Sequence, residues 1–215
     1  MLPINALAHE MFYTGSSPNW VAVPLIWDSR SNSKAYLKMN GDYLSSDYSD
    51  EFLIVSYAWQ TASSKVLVER TSFSDSNIDL STATKYYWDN RFGGEFYSKY
   101  VGGVCDITST DNIQITNAST ASASSGRIRY AGILVTPYVQ DFFDADNPTN
   151  HRRAVLIHEI GHTLGLGHSN TNYYPTTDAS IMRTYEGYEG YYRPQDHDKN
   201  DVSAPDKCPG IAQFA

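Results

Sequence analysis

Apolar and polar residues alternate in several short segments of the chain, which is the pattern of half-buried β-strands. The clearest alternation is in residues 35–39 (AYLKM), which run into an Asn-Gly turn signal, and in residues 112–116 (NIQIT). Residues 65–71 (KVLVERT) and 127–135 (RIRYAGILV) are rich in β-branched and aliphatic side chains. These four segments predict strands.

Two other segments have the 3.6-residue spacing of helices. The first follows Ser49, whose side chain can cap a helix. Its apolar positions are Phe52, Val55, Trp59 and Ala62. The second begins at Pro148, a favoured first helical residue, after the capping residue Asn147. We expect it to end at Gly165, because a glycine can adopt the positive φ that terminates a helix.

Strands and helices therefore follow one another along the chain, and no repeat or Pro-rich linker divides it. This order predicts a single domain of the α/β (α+β) class over residues 1–215. Residues 81–100 stay open between helix and loop, because Gly93 and Gly94 interrupt their aromatic spacing. The C-terminal quarter, which is rich in Tyr, Gly, Thr and Pro, is predicted to be irregular.

Composition narrows the classes of partner. The 215 residues are 41% hydrophobic and 19% charged, enough apolar surface for one folded core. The formal net charge of −8 repels phosphate backbones, so nucleic acid is not an expected partner. The longest apolar run, residues 21–27, is interrupted by Pro24 and is far shorter than the ~20 residues of a membrane span.

The composition also resembles that of secreted proteins, with 17 Tyr and only two cysteines. Residues 1–10 have neither a basic segment nor a continuous apolar core, so we expect an extracellular protein whose signal segment is not in this chain. Cys105 and Cys208 are either two thiols or one disulfide, and the disulfide is our expectation.

The second predicted helix contains the residues that indicate chemistry. His158 and His162 are four residues apart, so both imidazoles lie on one face and can share a metal ion, with Glu159 beside them. His168 can reach the same ion if the chain turns back at Gly165. Three imidazoles around Zn²⁺ leave one position open, which is typical of catalytic sites. The alternative is a set of surface histidines, but a chance match to the whole string is expected in about one in 10⁴ chains.

Residues 158–168 match H-E-x-x-H-x-x-G-x-x-H and resemble the signature of the metzincin zinc peptidases. Metzincins carry a methionine turn beneath the zinc, and the resemblance assigns this role to Met182, in a Ser-Ile-Met segment. An ordinary core methionine is the alternative. Ser169, after the third histidine, and residues 164–166 are similar to the matrixins, the matrix-metalloprotease group. The longer segment 169–179 and the lack of a counterpart to their structural zinc and calcium loop indicate a bacterial or otherwise divergent member.

The resemblance implies a twisted, mostly parallel sheet above the active-site helix, with an upper part of about residues 1–168. A small irregular lower part, about residues 169–215, would hold the methionine turn. It also implies that the strand near residues 130–135 is a sheet edge on which extended substrates pair. A buried strand without substrate contact is the alternative. The substrate-binding candidates are Tyr130, Ala131, Gly132, Ile133 and Leu134 on that strand, and Arg183 and Thr184 after the methionine turn.

Two further features have weaker patterns. Tyr185 stands three residues after Met182, whereas some metzincins place a zinc-reaching tyrosine two residues after, so packing is the stronger interpretation and a stabilising role the weaker one. Oxygen-bearing side chains that Ca²⁺ could use precede the second helix, but a solvated loop with a helix cap explains them better. They are Asp141, Asp144, Asp146 and Asn147.

The sequence thus predicts a secreted, monomeric zinc metalloendopeptidase that hydrolyses peptide bonds in extended protein substrates. In this hypothesis His158, His162 and His168 hold the zinc, and Glu159 deprotonates a zinc-bound water and passes the proton to the leaving amine. Two alternatives stay open. One is a zinc-containing peptide-binding or toxin-like module with little turnover, and the other is a zinc hydrolase acting on a different amide.

Overall fold

The structure is a computed structural model. It describes residues 13–14, 21–22, 26–31, 34–99, 101–116, 120, 123–138, 148–166, 180–182 and 193–203. The strands are β1 (Tyr13–Thr14), β2 (Val21–Ala22), β3 (Ile26–Trp27), β4 (Arg30–Ser31), β5 (Lys34–Tyr43), β6 (Val66–Arg70), β7 (Ile78–Thr82), β8 (Gly103–Ser109), β9 (Gln114–Ile115) and β10 (Arg127–Val135). The helices are α1 (Ser46–Val55), α2 (Ala58–Ala62), α3 (Lys85–Arg91), α4 (Glu95–Ser98), α5 (Pro148–Thr163) and α6 (Asp196–Ser203), with a 3₁₀ turn at Phe73–Asp75.

Four parallel strands in the order β6–β5–β7–β10 form the centre of the main sheet. β8 pairs antiparallel with β10, and the two-residue strand β9 follows outside β8. Strand β3 pairs parallel with the start of β10, and β4 pairs antiparallel with the start of β5. β1 and β2 form a separate two-stranded ribbon. This mixed α/β architecture with a mostly parallel sheet confirms the predicted fold class.

β10 is an internal strand of this sheet. Residues 131–135 pair with β7 on one side, and residues 130–135 pair with β8 on the other. The prediction that the strand containing Tyr130, Ala131, Gly132, Ile133 and Leu134 is a sheet edge is therefore wrong. Its backbone groups are already bonded on both sides, so an extended peptide cannot add to it.

Helix α5 lies against β8, β10 and α1, and it is buried on all sides over residues 154–161. Two tryptophan indoles donate hydrogen bonds to its backbone: Trp59 Nε1 to Ile157 O and Trp27 Nε1 to Thr163 O, both 2.8 Å long. Both bonds are buried, so these indoles fix α5 relative to the N-terminal half of the chain.

The first predicted helix differs in detail from the observed one. It begins at Ser46 after the N-cap residue Ser45, so the predicted cap Ser49 lies inside α1, where its hydroxyl donates to Leu44 O. Residues 56–57 form a turn that ends α1, and the separate helix α2 follows. The segment left open, residues 81–100, forms α3 and α4, joined through Gly93 and Gly94 with φ of 81° and 111°. None of the helices in the described ranges has the length and apolar character that crossing a bilayer requires.

Candidate metal centre

Helix α5 presents the candidate metal-ligating side chains. His158, Glu159 and His162 each offer a ligand atom, and these atoms lie within 4.8 Å of one another. The two imidazole rings are 4.7 Å apart between centroids and nearly perpendicular, at 86°. Among the described residues, this is the group of three or more His, Cys, Asp or Glu side chains with metal-binding spacing.

Backbone carbonyls set the tautomer of both histidines. His158 Nδ1 lies 2.9 Å from Ile181 O, and His162 Nδ1 lies 2.7 Å from Leu166 O. Since a carbonyl oxygen only accepts, each Nδ1 carries the proton, and each Nε2 carries the lone pair that can ligate a metal. Such outer hydrogen bonds orient metal-binding imidazoles.

The carboxylate of Glu159 is buried beside the two histidines, with its residue 3% exposed. Its Oε2 has no hydrogen-bond partner among the described residues. Burial, and secondarily the charge of Asp106, raise the pKa of Glu159 to about 8. Space for this side chain depends on Gly103, because a Cβ there would lie 2.5 Å from Glu159 Cγ.

The segment containing Met182 lies beneath α5. Ser180, Ile181 and Met182 are buried, and a Cβ on Gly161 would come within 2.5 Å of Met182 Sδ. Within the segment, Met182 N donates to Ser180 Oγ at 2.9 Å. This contact through Gly161 places Met182 against the metal-binding helix.

Asp198 of α6 holds this methionine segment in place from below. It is fully buried and accepts hydrogen bonds from Ser180 Oγ at 2.6 Å, Ile181 N at 3.0 Å and Gln195 N at 2.7 Å. Since Ile181 O accepts from His158, the Asp198 carboxylate holds the residue whose carbonyl orients a candidate metal ligand. Sequence reasoning missed Asp198, Gly161 and Trp59. Gly161 was visible inside the motif. Asp198 has no sequence signal, because it is one acidic residue among several in a polar helix.

The other predicted site residues divide into described and undescribed ones. Gly165 has φ of 86° just past the end of α5, as expected for the residue that ends it. Cys105 has no disulfide partner among the described residues, and burial, followed by the charge of Glu159, raises the pKa of its thiol. The predicted residues that lie outside the described residues are His168, Arg183, Thr184, Tyr185, Cys208, Asp141, Asp144, Asp146 and Asn147. The pairing of Cys105 with Cys208 therefore stays a prediction.

The residues present fit a zinc ion. The two imidazoles of fixed tautomer and the Glu159 carboxylate offer ligand atoms within 4.8 Å of one another. The buried Glu159 Oε2 has no hydrogen-bond partner among the described residues. Neutral imidazole nitrogens are ligands that zinc prefers, and a helical His-x₃-His pair needs a further ligand to complete a catalytic site.

A mixed sheet above a helix that carries His-Glu-x-x-His defines a metallopeptidase-type centre. A family model described as Matrixin matches residues 55–205, more than half of the chain. The chain therefore belongs to the matrixin family, and membership implies zinc-dependent metallopeptidase activity. A search of curated proteins finds no match to the chain.

Proposed function

We propose that the protein is a zinc endopeptidase that cleaves peptide bonds within extended protein substrates. The observation that carries this proposal is the buried Glu159 carboxylate beside two histidines of fixed tautomer, whose Oε2 has no hydrogen-bond partner in the part of the chain that the structure describes. His158, His162 and, as the third ligand, His168 would hold the ion. Zinc at this point supplies a Lewis acid that polarises the scissile carbonyl and lowers the pKa of water.

Glu159 is the proposed general base and then general acid. Its raised pKa of about 8 in the metal-free protein suits a group that takes a proton from the attacking water and returns it to the leaving amine near neutral pH. Close approach of Gly103 closes one side of the carboxylate and keeps solvent from it. Met182 supports the helix from below and takes no part in proton transfer.

Strand β8 replaces β10 as the proposed docking strand for substrate. Among the described residues, β9 covers β8 only at Ile107 and Thr108, so the outer edge of residues 103–106 is unpaired. Gly103, at the start of this stretch, lies against Glu159. A peptide added along this edge would therefore pass the metal centre in extended form. Arg183 and Thr184 as a pocket wall, and Tyr185 as a stabiliser, remain predictions.

Two further proposals accompany the activity. Matrixins are typically extracellular, which together with the Tyr-rich, Cys-poor composition supports secretion of this chain. We also propose that it acts as a monomer, because one helix supplies His158, Glu159 and His162 together.

The activity is tested by incubating the 215-residue protein, loaded with zinc, with a diverse peptide library and locating cuts by mass spectrometry. We expect internal cuts that disappear with a zinc chelator and return with added zinc. Glu159→Gln should keep zinc and lower the cleavage rate at least about 10³-fold, since a positioned general base contributes about 10²–10⁴-fold.

The matched control is Glu69→Gln, which makes the same change at an exposed position of β6. It should cleave at the parent rate. Full activity in Glu159→Gln would overturn the mechanism, and a zinc-loaded parent protein without any cuts would favour the peptide-binding module.

A further inference from the structure

A hollow lies on the face of the sheet opposite α5. Asp79, Gly132 and Asp106 stand directly across from one another on β7, β10 and β8. Gly132 has no side chain, so the two carboxylates flank an open floor about 10 Å wide between their backbone positions. The resulting cavity has a volume of about 480 Å³, which lies in the range of small-ligand sites.

Helix α3 forms the wall above this hollow. Thr84, Tyr87 and Arg91 lie on one helical face and line the cavity, and the Tyr87 residue is 50% exposed. On the floor, Tyr130 lies beside Gly132, with its ring edge 3.7 Å from where a Cβ would be. Two aromatic rings therefore border the space between the carboxylates.

The cavity is lined by two carboxylates and one guanidinium group. Arg91 forms a forked ion pair with Asp106, with N···O distances of 3.2 and 3.3 Å. Asp79 accepts hydrogen bonds from Tyr130 Oη at 2.8 Å and Ser76 Oγ at 2.6 Å. No ion pair among the described residues neutralises Asp79. Burial, with the Asp79 hydrogen bond, raises the pKa of Tyr130 to about 12, so its hydroxyl remains a donor at neutral pH.

A bare metal ion does not fit this arrangement. Ca²⁺ needs several oxygens at about 2.3–2.6 Å. Asp79 and Asp106 lie on β7 and β8, which β10 separates, so their carboxylates are too far apart to bind one ion. An organic cation with several N–H donors fits better, because it can bond the remaining lone pairs of Asp79 and lie against a tyrosine face. We propose that this hollow, lined by Asp79, Tyr87, Arg91, Asp106, Tyr130 and Gly132, binds the cationic side chain of an arginine or lysine residue.

This site is distinct from the metal centre. Ala131 belongs to the buried core on the α5 side of the sheet, whereas the next residue, Gly132, lies on the other face and lines the hollow. Binding there needs neither zinc nor Glu159, so its test is independent of the proposed peptidase activity.

The test titrates the zinc-loaded protein with N-acetyl-arginine methylamide and with its neutral isostere, N-acetyl-citrulline methylamide, while backbone amide NMR shifts are followed. We expect the arginine probe, and the corresponding lysine probe, to shift the Gly132 and Asp106 amides saturably, more weakly at high salt. The citrulline probe should bind at least about tenfold more weakly, the loss expected for a charge-assisted hydrogen bond.

Three variants should change the affinity for the arginine probe in different directions. Asp79→Asn should weaken arginine binding about tenfold. Arg91→Gln should strengthen it, because Asp106 then loses its internal partner. Gly132→Val fills the hollow with a side chain that strands favour, so it should abolish binding and keep the fold. If Asp79→Asn does not fold, Gly132→Val alone decides.

The matched control is Asp50→Asn, which removes the same charge from α1, outside the cavity. It should bind the arginine probe like the parent protein. Equal losses in Asp50→Asn and Asp79→Asn, equal binding of citrulline, or weaker binding by Arg91→Gln would each overturn the proposal. Displacement of the arginine probe by glucose with retained Asp79→Asn affinity would instead indicate a sugar site and would also overturn it.

Discussion

At the scale of single residues, the metal centre depends on two glycines as well as on its polar side chains. Gly103 and Gly161 are positions where a methyl group would collide with Glu159 and with Met182. Both glycines let other groups come close to α5. Their absence of a side chain is thus a packing requirement of the site and not a requirement for unusual backbone angles.

Gly161→Ala is expected to destabilise the protein. The added Cβ would lie 2.5 Å from Met182 Sδ and 2.8 Å from Trp59 Cζ2, so the free energy of unfolding should fall by about 1–3 kcal/mol. Urea denaturation measures this. Gly132→Ala is the matched control, since its Cβ would meet nothing nearer than 3.7 Å, and it should lose no stability. Equal stability of the two variants would contradict the overpacking argument.

Glu159 should make the stability of the metal-free protein pH-dependent. Its pKa is about 8 in the folded chain and near 4.5 when unfolded, so the contribution of this group to stability is fully present below pH 4.5. This contribution is lost as pH rises through about 8, by a few kcal/mol in all. Urea denaturation of the chelator-treated protein from pH 5 to 9 should show the decline. Glu159→Gln, which cannot titrate, should have the flatter curve, and parallel curves would refute the assignment.

At the scale of elements, the centre is assembled from pieces far apart in the chain. α5 supplies the ligands, the methionine segment supports α5 through Gly161, and α6 holds that segment through Asp198. Asp198 bonds the N–H of Ile181, and the carbonyl of the same residue accepts from His158, so α6 is an outer support of the candidate metal site.

Asp198→Asn tests this support. The amide keeps the size of the carboxylate but turns an NH₂ group toward one of three donors, leaving buried groups unsatisfied. We expect about 1–3 kcal/mol lower stability and about 10–100-fold weaker zinc binding, measured by urea denaturation and by competition with a chromophoric chelator. Asp196→Asn, on the exposed side of α6, should change neither. Unchanged zinc affinity in Asp198→Asn would contradict the proposal that α6 supports the metal centre.

At the scale of the whole molecule, the correct predictions were those that depend on local sequence patterns. The strand at 127–135 and the helix from Pro148 matched because strong periodicity and end signals coincided there. β7 and β8 were missed, because the alternation of β7 (IDLS) covers only four residues and β8 contains Gly103 and Asp106, residue types that strands disfavour. The edge assignment of β10 failed for a different reason: strand order arises from pairings between distant segments, which no local window contains. Residues such as Asp198 were out of reach for the same reason.

The two tryptophan hydrogen bonds to α5 have a kinetic consequence. Trp27 and Thr163 are 136 residues apart, and Trp59 and Ile157 are 98 apart. Contacts of such sequence separation carry a large loop-closure entropy and form late on the folding pathway. The helix that bears the proposed zinc ligands is therefore fixed in place only when these distant segments have come together. Hydrolytic competence is consequently among the last properties that a folding chain acquires.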